Sequence, residues 1–422
     1  MTQTISGTTL RAVSTLAMSA LVMQLAACDL EVTNPGPIQA DALEDAKALT
    51  AVVNGAGRDL AEALNWTAYT GGAVAREIHP AGSTAAFGIS VQQQAGKLTD
   101  DDGGTWWDFS QRARWTAENA VERVKRVAEA TGTGDPVNLT RALVWAGYAN
   151  RHLGENFCDG VINGGPLEPH TVYLERAEAS FTEAIAAGAA ITSVAVRDSL
   201  VRAATGGRAS VRLLRGNLTG AAADAATLPN TFAFQMRYFT TDLDQYNRIY
   251  WSTANQPYRA HTVWNTFYEN YRKTTRDPRV PFDSSATIRE GDAAVGNLGR
   301  VRWYFQTKYP AQASPINLST GWEMRLIEAE AKLVAGDVAG AMTLVNTRRV
   351  SLGLAPWTAA NVTEAWTALK RERGIELWLE SRRLGDFRRW AALNRPGTSD
   401  DMTGRNLCFA TPLSEKETNS NF

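Results

Sequence analysis

The sequence has few of the residues that usually carry catalytic or metal chemistry. Only 3 cysteines and 4 histidines occur among its 422 residues. No zinc-ligand spacing such as His-Glu-x-x-His links the four histidines, which are His79, His152, His170 and His261. A Gly-x-Ser-x-Gly elbow, a phosphate-binding P-loop and a GxGxxG motif opening a helix are missing as well. We therefore predict no metal site, no cofactor and no catalytic residue.

An excess of charge of one sign is also lacking. The 43 Lys and Arg residues nearly balance the 44 Asp and Glu residues, which leaves a formal net charge of -1. Nucleic-acid binding needs a clustered basic surface, so the balance argues against a nucleic-acid partner. Alternation of Val, Ile and Thr with polar residues is scarce, which argues against an extensive sheet.

Only one long apolar run is present, and it ends at a cysteine. The run Ala12–Ala27 is shorter than the roughly 20 residues that span a bilayer. Its weakly basic start and small-residue end are typical of a secretory signal peptide, and the closing Leu-Ala-Ala-Cys resembles a bacterial lipobox. We predict a signal peptide over residues 1–27, acylation (palmitate) of Cys28, and an extended tether over residues 28–40. The alternative is an ordinary signal peptide or a short membrane anchor.

The other two cysteines lie far apart, at Cys158 and Cys408. Outside the cytoplasm a disulfide between them can persist, and it would join the end of the chain to its first third. Two buried free thiols are the alternative.

A seven-residue spacing recurs between residues 140 and 350 and predicts the fold class. A small residue on a helical stretch stands seven residues before a glycine in three places: Gly147 and Gly154, Ala209 and Gly216, Ala329 and Gly336. A small residue lets two helices approach closely, and a glycine past a helix end provides the turn. This pattern resembles the helical hairpin of tetratricopeptide repeats. We predict an all-α scaffold with hairpins near residues 140–228 and 321–350, the second helix of the first unit being displaced to Tyr173–Ala187.

Two stretches do not fit the repeat and are rich in aromatic residues. They lie near residues 65–110 and 229–320, and we interpret both as loop-rich ligand regions. Aromatic rings can stack on the apolar faces of sugars while polar neighbours bind hydroxyls. The candidate ligand-binding residues are Trp66, Tyr69, Trp106, Tyr250, Trp251 and Trp264. Tryptophans in helical periodic segments are predicted to be core, namely Trp115, Trp145, Trp322, Trp366 and Trp378.

Two acidic groups invite a metal or acid/base interpretation. Glu372, Glu376 and Glu380 recur at helical spacing, but arginines lie close at hand, at positions 371, 373, 382 and 383. Pairing of arginine with carboxylate is the commoner use of such a run. Asp100–Asp102 offers calcium-type ligands without EF-hand spacing, which favours a solvated acidic turn.

The strongest resemblance to a known family lies at residues 370–390. This segment reads KRERGIELWLESRRLGDFRRW and resembles the C-terminal signature of SusD/RagB-type outer-membrane lipoproteins. The lipobox at Cys28, the Asp277-Pro278-Arg279 element, the helix pair at 323–349 and Cys408 agree with it in order. The resemblance spans the mature chain and implies one domain over residues 41–422.

Membership of that family implies a location and a function. Such proteins are all-α lipoproteins that bind a nutrient, typically a glycan, and hand it to a SusC-like TonB-dependent barrel without catalysis. We therefore expect a lipid-anchored protein of a Gram-negative outer membrane, facing the cell surface, with an oligosaccharide or peptide as ligand. The two alternatives are a lipid-anchored adaptor that binds only proteins and a periplasmic glycan-cleaving enzyme.

Overall fold

Long, alanine-rich helices form most of the protein. The structure, a computed structural model, describes residues 42–81, 90–102, 104–254, 258–291 and 301–422. Its α-helices are α1 Leu49–Val74, α2 Val91–Gln94, α3 Gly104–Thr131, α4 Pro136–Asn156, α5 Thr171–Gly188, α6 Val194–Leu214, α7 Leu218–Ala226, α8 Phe267–Thr275, α9 Gly321–Val334, α10 Val338–Ser351, α11 Val362–Glu376, α12 Arg383–Ala392 and α13 Leu413–Thr418. Within these ranges no helix has the length and apolar character needed to cross a membrane.

Strands are short and pair only two at a time in the described ranges. They are β1 His79–Pro80, β2 Asp159–Gly160, β3 Glu168–Pro169, β4 Ala233–Met236, β5 His261–Thr262, β6 Phe282–Ser284, β7 Tyr304–Gln306 and β8 Ile316–Thr320. The antiparallel pairs are β1 with β5, β2 with β3, β4 with β8, and β6 with β7. The mostly helical fold confirms the all-α, helical-repeat prediction.

Residues Glu44–Phe422 form one compact unit, and a second, Met1–Leu43, lies almost wholly outside the described residues. The predicted signal peptide, the tether and Cys28 therefore lie outside what the structure describes.

Two of the predicted hairpins follow the seven-residue pattern closely. Between α6 and α7 the chain turns at Gly216, with φ of 79°, and between α9 and α10 it turns at Gly336, with φ of 83°. This left-handed conformation suits glycine, which has no Cβ to clash. The next residue caps the second helix in both hairpins: Asn217 accepts a hydrogen bond from the Gly220 N–H at 3.0 Å, and Asp337 accepts one from the Gly340 N–H at 2.8 Å.

The first hairpin departs from the prediction at Gly154, which lies inside α4 and not at a turn. A Cβ at this position would approach the Leu174 side chain on α5 to 2.6 Å. Close helix packing, not a turn, therefore requires the glycine. The displaced second helix is present as α5, where Ala177, Phe181 and Ala184 are fully buried.

The predicted loop region near residues 65–110 is helical at both ends, which corrects its boundaries. Helix α1 continues to Val74, and α3 begins at Gly104. Helix α1 is buried on nearly all sides beyond Leu60, so it carries no amphipathic period from which its length could be read. Trp66 and Tyr69 therefore lie on α1, and Trp106 lies on α3.

The C-terminal signature packs its charged side chains into the protein interior. Arg373 and Asp386 form two hydrogen bonds, at 2.9 and 3.0 Å, with side chains only 1% and 2% exposed. Arg382 pairs with Glu155 at 2.6 Å and with Glu323 at 2.8 Å. These pairs join the signature to α4 and α9, because one partner comes from each of those helices.

The three spaced glutamates form ion pairs with basic side chains, as predicted. Their partners in the pairs described next lie outside the C-terminal signature. Arg279 of the Asp-Pro-Arg element bonds Glu372 at 2.5 Å and Glu376 at 2.9 Å. Glu380 pairs with Lys308 at 2.8 Å. Helix α11 ends at Glu376 and the chain turns through left-handed residues, so Glu380 does not continue the helical face.

A disulfide between Cys158 and Cys408 fixes the C-terminal segment after α12. The two Cα atoms lie 5.1 Å apart. Next to this bond the Phe409 ring packs against Trp106 and Phe157, with centroids 5.4 and 5.5 Å away. The tail is thereby joined to α3 and to the end of α4.

Candidate functional site

An aromatic surface forms where α1 meets residues 246–254 and 258–264, which we call the aromatic segment. The Asn65 amide on α1 holds the two together. Its Nδ2 donates to the Tyr246 carbonyl at 2.8 Å, and its Oδ1 accepts from the Arg248 N–H at 3.0 Å. Because Asn65 is fully buried, these two bonds fix the start of the segment against α1.

Trp66 is the first candidate on this surface. Its half-buried ring lies under the Arg248 guanidinium, 4.1 Å from the ring centroid, and stacks on Phe109 at 6.0 Å. A guanidinium over an indole face is a favourable cation–π arrangement. Arg248 was not among the sequence candidates, although its position just before Tyr250 and Trp251 was the available signal.

Trp251 lies on a π-helical turn, Tyr250–Ala254. Its half-buried ring packs between Tyr246 and Tyr258, with centroids 5.3 and 5.4 Å away. The turn is anchored at Asn247, whose carbonyl accepts from the Trp251 N–H and whose side chain accepts from the Tyr250 N–H, both at 3.0 Å. Such π-turns are frequent at functional sites.

Trp264 follows strand β5 and packs edge-on against His79 of β1, with ring centroids 5.5 Å apart. The strand pairing of His79 with Thr262 brings the two side chains together. Burial lowers the pKa of His79 to about 4, and burial lowers that of His261 to about 3. Both imidazoles are therefore neutral at neutral pH, and His261 is fully buried.

Two of the six candidates lie in the core. Tyr69 is 2% exposed and packs against His261, while Trp106 is 8% exposed and packs against Phe409. Neither offers a ring face to a ligand. The other four candidates are half-buried, namely Trp66, Tyr250, Trp251 and Trp264. The contacts between α1, β1 and the aromatic segment bring together the segments that carry them.

The chemistry available on this surface is binding chemistry. Indole and phenol rings supply flat apolar faces, and Arg248 and His79 supply polar groups beside them. Among the described residues, no three His, Cys, Asp or Glu side chains are grouped to hold a metal ion. The Asp100 carboxylate of the acidic run instead accepts from Lys416 at 3.0 Å.

The fold defines a helical-repeat protein that carries an aromatic surface outside its tetratricopeptide-like hairpins. Residues 230–421 match the model of the SusD family. No curated protein matches the chain with statistical significance.

Solved structures reproduce the fold over most of the chain. A SusD superfamily protein from Bacteroides thetaiotaomicron has a TM-score of 0.66 at 15% identity, covering 89% of this chain and 98% of its own. A SusD-like carbohydrate binding protein from Bacteroides vulgatus has a TM-score of 0.63 at 16% identity, with coverages of 89% and 97%. The resemblance recognised in the sequence is confirmed over the C-terminal part of the chain, which matches the SusD family at residues 230–421, and the whole fold is similar to that of SusD superfamily proteins.

Proposed function

We propose that this protein is a non-catalytic, lipid-anchored nutrient-binding protein of the outer membrane that takes an oligosaccharide and delivers it to a SusC-like TonB-dependent transporter. The observation that carries the proposal is the group of half-buried rings at Trp66, Trp251 and Trp264 on a SusD-type scaffold. The similar protein from Bacteroides vulgatus described as carbohydrate binding supports the ligand class.

The geometry suits a sugar because aromatic rings and polar side chains are neighbours on the aromatic surface. A pyranose ring presents an apolar C–H face that can stack on an indole, and its hydroxyls need hydrogen-bonding partners nearby. Trp251 lies between two tyrosines, and Trp66 lies beneath Arg248. Pre-positioned rings lose little conformational entropy on binding, which favours affinity.

Anchoring and transport are inferred from the sequence and from the family. An acylated Cys28 would hold the protein at a membrane, since two or more acyl chains give a stable anchor. The protein purified from outer membranes should retain its acyl groups and copurify with a barrel-type transporter. Replacement of Cys28 by Ser should abolish acylation and release the protein. Unmodified Cys28 in membrane-purified material would contradict the anchor.

A screen of neutral oligosaccharides and peptides against the purified protein tests the ligand class. We expect saturable binding of a saccharide, weakened about tenfold by Trp251→Ala or Trp264→Ala, because each loses a stacking face. Leu393→Ala is the control, since Leu393 is 48% exposed and directly follows α12. Parent-like binding by both tryptophan variants would refute the site, and binding of peptides alone would refute the ligand class.

A further inference from the structure

A second aromatic platform lies on the helical scaffold, at Trp115 of α3. The helical period predicted this residue to be core, yet it is 53% exposed. It is the one tryptophan among the exposed large apolar side chains of the described residues. We propose that Trp115 is the stacking platform of a second saccharide-binding site, specific for neutral oligosaccharides and separate from the aromatic surface of residues 246–254 and 258–264.

A groove of about 430 Å³ runs along one side of Trp115, between α3 and α5. Leu143 and Ala146 of α4 form part of its lining. The ion pair of Lys125 with Glu183, at 2.9 Å, joins α3 to α5 there. The groove is therefore bounded mainly by three packed helices, with Asn163 of the β2–β3 connection at its edge, so the scaffold sets most of its shape.

A second groove, of about 360 Å³, lies on the other side of Trp115. Its lining includes Gln111, Val161 and Glu415. Trp115 and Asn163 line both grooves. The indole thus lies where the two grooves meet, as a stacking platform would for a sugar chain passing from one groove to the other.

Polar groups beside Trp115 are held in fixed positions. The Glu118 carboxylate accepts from Arg114 at 2.7 Å and from Asn150 at 2.9 Å, and it pairs with Arg176 at 2.9 Å. The Asn163 side-chain oxygen accepts from Arg114 at 2.9 Å, which leaves its amide N–H groups as donors. Fixed donors and acceptors next to a flat ring are the combination that sugar hydroxyls and a sugar C–H face require.

The composition of the first groove favours a neutral saccharide over a protein or a polyanionic glycan. Three carboxylates and two cations line it, namely Glu118, Glu122, Glu183, Lys125 and Arg176. Such a balance gives little attraction for an acidic polymer. Trp115 is the one exposed large apolar residue among the lining residues, whereas a stable protein interface needs several buried anchors over about 800 Å² on each side.

The test observes the fluorine resonance of the Trp115 side chain in the full-length protein. The protein is labelled with 5-fluorotryptophan, and the Trp115 fluorine resonance is assigned with Trp115→Phe. Maltohexaose, cellohexaose, mannohexaose and xylohexaose are then titrated separately, with oligogalacturonate and a mixed peptide as comparison probes. We expect at least one neutral hexasaccharide to shift the Trp115 resonance saturably. No shift with any of them, or a shift with oligogalacturonate or peptide alone, would overturn the proposal.

Variants separate this site from the aromatic surface. In a Trp251→Ala/Trp264→Ala double variant the Trp115 shift should persist, and its loss there would show that the effect arises at the other surface and overturn the proposal. In the same double variant, Trp115→Ala should weaken the affinity measured by calorimetric titration about tenfold without lowering the unfolding midpoint. Leu393→Ala is the matched control, because Leu393 is 48% exposed and lines neither groove.

Discussion

The C-terminal signature and the aromatic surface contain similar residue types but use them in opposite ways. In the signature, Arg373 and Arg382 are buried and bonded to carboxylates. At the aromatic surface, Arg248 instead covers the face of Trp66, and the rings of Trp66 and Trp251 are half-buried. Paired buried charges fix one arrangement of the chain, whereas half-buried aromatic rings beside polar groups suit a surface that binds. The following predictions test this contrast.

The largest effect is expected from breaking a buried pair in the signature. Arg373→Ala removes a buried guanidinium that bonds Asp386 twice and leaves that carboxylate with Arg389 as its remaining ion-pair partner, so we expect the free energy of unfolding to fall by about 3–5 kcal/mol. Denaturant unfolding followed by circular dichroism measures the change. Arg371→Ala is the control on the same helix, since Arg371 has no ion pair among the described residues. A loss below about 1 kcal/mol for Arg373→Ala would contradict a structural role.

Removal of the disulfide should have the next largest effect. Cys408→Ser opens a loop whose ends are 250 residues apart in sequence, so the unfolded chain gains conformational entropy and stability falls by about 2–5 kcal/mol. Reduction of the parent should shift its unfolding midpoint in the same direction. Thiol titration of the unreduced, unfolded parent should find neither Cys158 nor Cys408 free, and two reactive thiols would contradict the bond.

A smaller, pH-dependent effect is expected at Glu77, which links α1 to the signature by accepting from the Leu379 N–H at 3.1 Å. Burial raises the pKa of Glu77 from 4.5 to about 7. The folded protein therefore holds this proton more tightly than the unfolded chain. The contribution is fully present below about pH 4.5 and is lost as pH rises through about 7.

Glu77→Gln keeps an oxygen to accept from Leu379 and removes the titration. The variant should match the parent at pH 5 more closely than at pH 8, where it should be more stable by an amount on the order of 1 kcal/mol or more. Unfolding midpoints measured across this pH range test the sign. An equal difference at both pH values would argue against titration of Glu77.

The smallest change in stability is expected at the aromatic surface. Trp264→Ala removes a half-buried ring, so we expect a smaller loss of stability than for Trp378→Ala, which empties a fully buried site and should cost about 3–5 kcal/mol. Thermal unfolding of the two variants gives the comparison. Equal losses would mean that Trp264 is a packing residue and would remove it from the binding surface.

The sequence predicted correctly those features that are encoded by residues close together in the chain. The hairpin turns at Gly216 and Gly336 followed from short spacings, since a helix end and its cap lie within a few residues. Trp115 was wrongly predicted as core because a helical period marks one face of a helix without showing what covers it. The partner of Glu372, Arg279, lies 93 residues away, and no local pattern encodes a contact at that distance.

The central property proposed for the protein is that it binds a sugar without altering it. The direct measurement is calorimetric titration with the oligosaccharide selected by the screen, followed by recovery of the sugar and determination of its mass. We predict saturable binding to the parent, weaker binding to Trp251→Ala, and a recovered sugar of unchanged mass. Shortened sugar products, or no binding of any saccharide, would contradict the account.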